Sequence, residues 1–187
     1  MNRFIIGRVL LVFLTVSAVM AAPPAVGDKA PDFALETPQG KKIRMSEAAA
    51  DKPTVLVVLR GYPGYQCPLC NRQAQDFIQN GAALEAMAGR VILIYPGPAS
   101  GLKARAEEFL TGKSFPDNFD LVLDPDYAFT NLYDLRWNAP QETAYPSTFI
   151  IDPKGVIVFS NVSKSHGGRV KAADILAVLR KTKHADQ

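Results

Sequence analysis

The chain of 187 residues holds only two cysteines, Cys67 and Cys70, two histidines and one tryptophan. So few cysteines exclude a scaffold held together by many disulfides. Zinc usually takes four ligands; here there is no second cysteine pair, and only His166 and His184 could assist. No metal and no cofactor are therefore expected. Charge of one sign is also scarce: the formal net charge is +3, and no basic run suggests a nucleic-acid partner. No internal repeat or low-complexity block is present. The apolar stretch from Val9 to Met20 is shorter than the roughly 20 residues a membrane-spanning helix needs.

That stretch, with Arg3 and Arg8 before it and Val19-Met20-Ala21 after it, reads as a secretory leader over 1–21. An uncleaved anchor is the alternative. No cysteine follows the cleavage site, so lipid attachment is not expected there. The protein is expected to be exported, periplasmic or secreted, with no membrane contact once the leader is removed. Without Arg3 and Arg8 the formal charge falls to about +1. The rest divides into a linker at 22–29, one domain at 30–183 and a tail at 184–187. It is long enough to bury a sizeable core.

The most informative stretch is Leu59-Arg60-Gly61-Tyr62-Pro63-Gly64-Tyr65-Gln66-Cys67-Pro68-Leu69-Cys70. It follows the apolar run Val55–Leu59 and precedes a helical pattern. A Cys-Pro-x-Cys at a strand-to-helix turn is the arrangement of thioredoxin-like redox motifs. Pro68 suits the first helical position, which places Cys67 at the N-cap beside free N–H groups and the positive end of the helix dipole. Such a setting favours thiolate. Cys67 is thus the expected attacking thiol and Cys70, one turn on, the resolving thiol. A purely structural disulfide, half of a zinc site and a Cys67–His166 protease are the competing readings. The short loop adds little stability through a clip, and a protease has no use for the second cysteine.

Along the chain, Ala30–Leu35 alternates like a strand, Thr37-Pro38-Gln39-Gly40 marks a turn, and Lys41–Met45 returns as a second strand. A brief helix is expected from Ser46. Cys70, Ala74, Phe77, Ile78, Gly81 and Leu84 keep helical spacing, with a break expected at Asn80-Gly81. Val91–Ile94 is a continuous apolar run, as buried parallel strands require. A helix through Leu102–Leu110, a strand at Leu121–Leu123 and a helix capped by Asp126 follow. Thr148–Ile151 and Val156–Phe159 read as a hairpin, and a last amphipathic helix carries Ala172, Ile175, Leu176 and Leu179, fraying from Lys181. This order predicts an α/β thioredoxin-like fold: a central mixed sheet flanked by helices, with an N-terminal extension and an insertion around 97–135.

Several stretches together resemble the AhpC/TSA, or peroxiredoxin-like, family of the thioredoxin-like superfamily. They are Gly27–Leu35 with Gly40, the strand leading to Cys67, and Pro146-Ser147-Thr148-Phe149-Ile150-Ile151-Asp152-Pro153-Lys154-Gly155. The resemblance spans nearly the whole chain after the leader. It implies an oxidoreductase with a redox-active thiol, acting on disulfide-containing proteins or on a small hydroperoxide and reduced by a thiol donor. Peroxiredoxins carry Pro-x-x-x-Thr/Ser-x-x-Cys at the reactive cysteine; here Arg60 and Gly64 occupy the proline and hydroxyl places. The arginine expected just before the Thr-Phe-Ile-Ile strand is also missing. Pro146 stands nearby instead, resembling the cis-proline of dithiol thioredoxins, and a cis Tyr145–Pro146 bond beside the Cys67 end of the helix is expected.

Arg60 is a candidate for favouring the Cys67 thiolate by its charge, or else a solvated strand-end residue. Tyr145 and Pro146 are candidates for substrate backbone binding. Tyr62, Tyr65 and Trp137 form either an apolar rim for a partner or ordinary loop packing. His166 is read as a turn histidine. Thiol–disulfide exchange comes first, a thiol peroxidase second, and a binding module with a structural disulfide third.

Overall fold

A computed structural model of the chain describes residues 22–49 and 51–185. The expected leader, 1–21, lies outside the described residues, as do 186 and 187 of the tail. A seven-stranded mixed sheet forms the centre, in the order β2-β1-β5-β4-β3-β6-β7. These strands are β1 (Ala34–Glu36), β2 (Lys42–Arg44), β3 (Thr54–Val58), β4 (Arg90–Gly97), β5 (Phe119–Pro125), β6 (Ser147–Ile151) and β7 (Ile157–Val162). The helices are α1 (Met45–Ala48), α2 (Pro68–Gln79), α3 (Gly81–Met87), α4 (Leu102–Leu110), α5 (Ala128–Leu132) and α6 (Ala172–Ala185).

β3 runs parallel to β4 and antiparallel to β6, and β6 pairs antiparallel with β7. That four-stranded unit with α2 and α6 is the thioredoxin-like part. The insertion adds β5 parallel to β4, and the β1–β2 hairpin pairs on β5. Every residue of β3 is buried because both faces are covered. Side chains alternate across a strand, so Val55, Val57 and Leu59 join Phe77 of α2, Phe109 of α4 and Ile175 of α6. Leu56 and Val58 join Phe33, Phe129, Tyr133 and Phe149 on the other face. Burying each such side chain contributes about 1.5–3 kcal/mol.

The chain breaks between α2 and α3 at Asn80-Gly81, as expected. The Asn80 amide donates to the Asp76 carbonyl at 2.8 Å, and a Cβ on Gly81 would lie 2.5 Å from Pro116 Cγ. Beside β7, the segment before β1 is pinned by Gly27 N–H to Ile157 O at 2.9 Å and a bridge between Lys29 and Val156.

Three expectations need correction. The cap of α5 is not Asp126, whose carboxylate accepts the Ala99 N–H at 2.9 Å. Buried Asp124 instead accepts the N–H groups of Phe129 at 2.7 Å and Thr130 at 3.0 Å, after a turn through left-handed Asp126 and Tyr127. The last helix continues past Lys181 to Ala185 rather than fraying. The Tyr145–Pro146 bond is trans, since the described residues hold no cis peptide. Trans is the lower-energy form for an X–Pro bond, and Pro146 immediately precedes β6, where its carbonyl accepts Ser163 N–H at 2.9 Å.

Candidate active site

The site forms where β3 ends and α2 begins. Cys67 occupies the N-cap of α2 with extended φ and ψ of −71° and 116°, and Pro68 takes the first turn. Both cysteines are free thiols, Cys67 4% and Cys70 0% exposed. The two sulfurs are pushed in opposite directions. The Cys70 thiol donating to Cys67, set against burial and helped by backbone N–H groups and the Arg169 charge, brings Cys67 down to about 5. Burial, and then the neighbouring Cys67, push Cys70 well up.

Gly61 lets the chain enter the loop before Cys67. Its φ is +64°, and a Cβ there would fall 1.9 Å from the Pro96 carbonyl oxygen, so only glycine fits. The next residue's N–H, on Tyr62, donates to that same oxygen at 3.1 Å. Below the loop, buried Tyr95 donates its hydroxyl to Gln66 Oε1 at 2.9 Å, fixing the residue before Cys67.

Arg60 is 3% exposed, not a solvated strand end. Its guanidinium meets Glu142 Oε2 at 2.6 Å, the Tyr65 hydroxyl at 2.5 Å and the Gln141 carbonyl at 2.7 Å. Its backbone N–H, by contrast, points at Cys70 Sγ, 3.3 Å away. Glu142 also bonds His166 Nε2 at 2.7 Å through its other oxygen. Burial alone would raise the Glu142 carboxyl, but its bonds to Arg60 and His166 outweigh that and hold it low.

Trp137 stacks on Tyr145 with ring centroids 4.9 Å apart, and its other neighbour is His166 at 5.1 Å. Tyr65 stays 45% exposed with its hydroxyl on Arg60. The register pairing Val58 with Ser147 puts Pro146 at the C-terminal end of β3, the end from which the Cys67 loop departs. Tyr62 instead packs under the guanidinium of Arg105, 4.8 Å from its ring centre.

Glu142 and Arg169 are the residues that sequence reading missed. Arg169 Nη2 lies 3.4 Å from Cys70 Sγ, and the only hint in the sequence is its place just ahead of the last helix. For Glu142 the hint is an acid in an irregular loop opposite a buried arginine. An open groove of about 450 Å³ runs beside the dithiol turn, bounded by Leu69, Arg72, Gln73, His166, Arg169 and Lys171. A cavity of about 490 Å³ lies at the other end of β3 and β4, around Lys52 and Arg90, away from the thiols. Among the described residues no group of three or more His, Cys, Asp or Glu side chains could hold a metal ion.

Comparison with known proteins gives a consistent result. The model of the AhpC/TSA family matches residues 26–160. The thiol-disulfide oxidoreductase ResA of Bacillus subtilis is 26% identical over 144 residues, covering 76% of this chain and 71% of ResA. The bcp protein of Helicobacter pylori, named provisionally as a peroxiredoxin, is 31% identical over 153 residues, covering 78% of this chain and 94% of its own. A yeast mitochondrial 1-Cys peroxiredoxin superposes with a TM-score of 0.69 at 18% identity, over 87% of this chain and 78% of that one.

Proposed function

The chain belongs to the AhpC/TSA family, and from that premise we propose that it is a thiol–disulfide oxidoreductase working through Cys67 and Cys70. The observation that carries this reading is the opposed ionisation of two sulfurs one helical turn apart. An attacking thiol must be thiolate near neutral pH, whereas a resolving thiol serves best if it stays protonated until it is needed. The Cys67 thiolate attacks one sulfur of a partner disulfide, and the other partner sulfur leaves as a thiol after taking up a proton. Cys70 then attacks Cys67 Sγ, forming the Cys67–Cys70 disulfide and releasing the second partner thiol. Two electrons pass from the dithiol to the partner; a thiol donor restores the dithiol, and the same steps run in reverse on a reduced partner.

Arg60 supports the site by anchoring the 136–146 loop through Glu142 and by presenting its N–H to Cys70. The stacked Trp137–Tyr145 pair and Tyr65 are the rim proposed to meet a partner. The trans Tyr145–Pro146 bond removes the reason to place substrate backbone on the cis-proline pattern, so Pro146 enters only through its place at the rim. The apolar, Arg-flanked leader at 1–21 supports export, where partner disulfides persist.

A peroxidase is the second reading, favoured by one observation: a cysteine as buried as Cys67 is reached more easily by a small hydroperoxide than by a folded protein. There the Cys67 thiolate would attack the peroxide oxygen and break the O–O bond, becoming a sulfenic acid while the alcohol leaves after taking up a proton. Cys70 would then condense with it to the disulfide with loss of water. Gly64, at the place of the peroxiredoxin hydroxyl, weighs against it. The deciding experiment offers Cys70→Ser, fully reduced, either an oxidised protein or dilute hydroperoxide. Trapped mixed disulfides support exchange. Rapid sulfenic acid formation with no trapped partner puts the peroxidase first.

A further inference from the structure

We propose that Arg169 is a catalytic residue of the resolving step, its guanidinium stabilising the Cys70 sulfur as an anion while that sulfur attacks the Cys67 mixed disulfide. The proposal rests on the exchange reading above. Cys70 is 0% exposed, and a buried thiol is reluctant to ionise although only the thiolate attacks. Two donors converge on Cys70 Sγ, the Arg60 backbone N–H at 3.3 Å and Arg169 Nη2 at 3.4 Å. The remaining guanidinium nitrogens are already fixed. Nε donates to the His166 carbonyl at 3.1 Å, and Nη1 donates to Gln73 Oε1 at 2.9 Å.

The other ionisable groups that face Cys70 are Cys67 and Tyr95, both acids, while the Arg60 guanidinium is turned to Glu142. Arg169 is thus the cation presented to this sulfur. Anchoring alone does not account for it, because two other bonds tie the same segment to α2. Asp76 Oδ2 accepts the Ala172 N–H at 2.7 Å, and Gln73 Nε2 donates to the Val170 carbonyl at 3.3 Å.

The arrangement also orders the two ionisations. While Cys67 is a thiolate, its charge opposes a second anion at Cys70 and shares the attraction of Arg169. Once Cys67 is bound to a partner sulfur, that opposing charge is gone and the guanidinium acts on Cys70 alone. Cys70 gives its proton to solvent and its sulfur bonds to Cys67 Sγ. The bond from Cys67 Sγ to the partner sulfur breaks, and the partner leaves with the electron pair and takes up a proton. No further oxidant or reductant is needed.

Two measurements test this. In Cys67→Ser protein, the thiolate absorbance of Cys70 is followed against pH with and without Arg169→Gln. Removing a cation at this distance is expected to raise the midpoint by about one to three pH units. In the otherwise unaltered chain, Cys67 is loaded with thionitrobenzoate and its release by Cys70 is timed. For every pH unit the midpoint rises, the thiolate population falls about tenfold while its nucleophilicity gains about threefold, so Arg169→Gln should slow release about 3- to 30-fold at neutral pH. Arg169→Lys, keeping the charge without the fork, should recover part of the rate. An unchanged midpoint or an unchanged release rate overturns the proposal, since a merely anchoring arginine would leave both in place. If Cys67 takes up no label at all, the exchange reading fails, and the absorbance titration still decides the role of Arg169.

Discussion

Arg60 and Glu142, 82 residues apart in sequence, form an ion pair at 2.6 Å from which water is almost excluded, their side chains being 3% and 10% exposed. Breaking a buried pair from one side leaves an uncompensated charge, at a cost of about 3–5 kcal/mol. Glu142→Ala should therefore lower stability by about that amount in denaturant titration. Glu142→Gln should cost less, because an amide oxygen can still accept from Arg60. The folded Glu142 carboxyl lies below its unfolded value. Its contribution is thus complete above the unfolded range near about 4.3 and is lost as pH falls through the lower folded value. Between pH 7 and pH 3 the wild type should lose more stability than Glu142→Gln.

Alkylation reports the state of Cys67 directly. With its ionisation held near 5, the iodoacetamide rate of the reduced protein should rise through a midpoint near that pH and be level by pH 7. An ordinary thiol is still climbing at about 8.5. A midpoint above 8 would remove the basis for assigning attack to Cys67.

The largest influence holding Cys67 down is the bond from the Cys70 thiol. Cys70→Ala should consequently move the alkylation midpoint upward, whereas Cys70→Ser, which keeps a donor at the same place, should move it less. Identical midpoints in all three proteins would leave the helix N-terminus and Arg169 as the sole causes.

Gly61→Ala is expected to be among the most damaging single changes in the site loop. A positive φ and a carbonyl 1.9 Å from the new methyl force the backbone to shift. Because Arg60 N–H bonds Cys70 from the preceding residue, both thermal stability and Cys67–Cys70 disulfide formation should suffer together. The control Gly64→Ala has a positive φ as well but open space around it, and should cost less.

Local chemistry is what the sequence displays best. Pro68 after Cys67 marks the helix start, and Asn80-Gly81 marks the break between α2 and α3, since each acts on its own turn of backbone. The hairpin of β6 and β7 is equally plain from two apolar runs around Asp152-Pro153-Lys154-Gly155. What stays hidden depends on distant partners. Arg60 is visible as a cation near the thiols, but the direction of its guanidinium depends on Glu142 from another loop. Arg169 reaches Cys70 across 99 positions of sequence. Asp124 and Asp126 look alike on paper, and only the left-handed turn at Asp126 and Tyr127 selects the first as cap. Pro146 resembles a motif whose isomer is set by tertiary surroundings that a dipeptide does not encode.

The depressed ionisation of Cys67 has an electrochemical consequence. A charge stabilised in the dithiol vanishes when the disulfide forms, so the same contacts that activate the nucleophile weigh the couple toward reduction. At pH 7 the stabilised Cys67 thiolate therefore favours the reduced form. Compared with a pair whose leading thiol is unperturbed, the Cys67–Cys70 disulfide is the stronger electron acceptor.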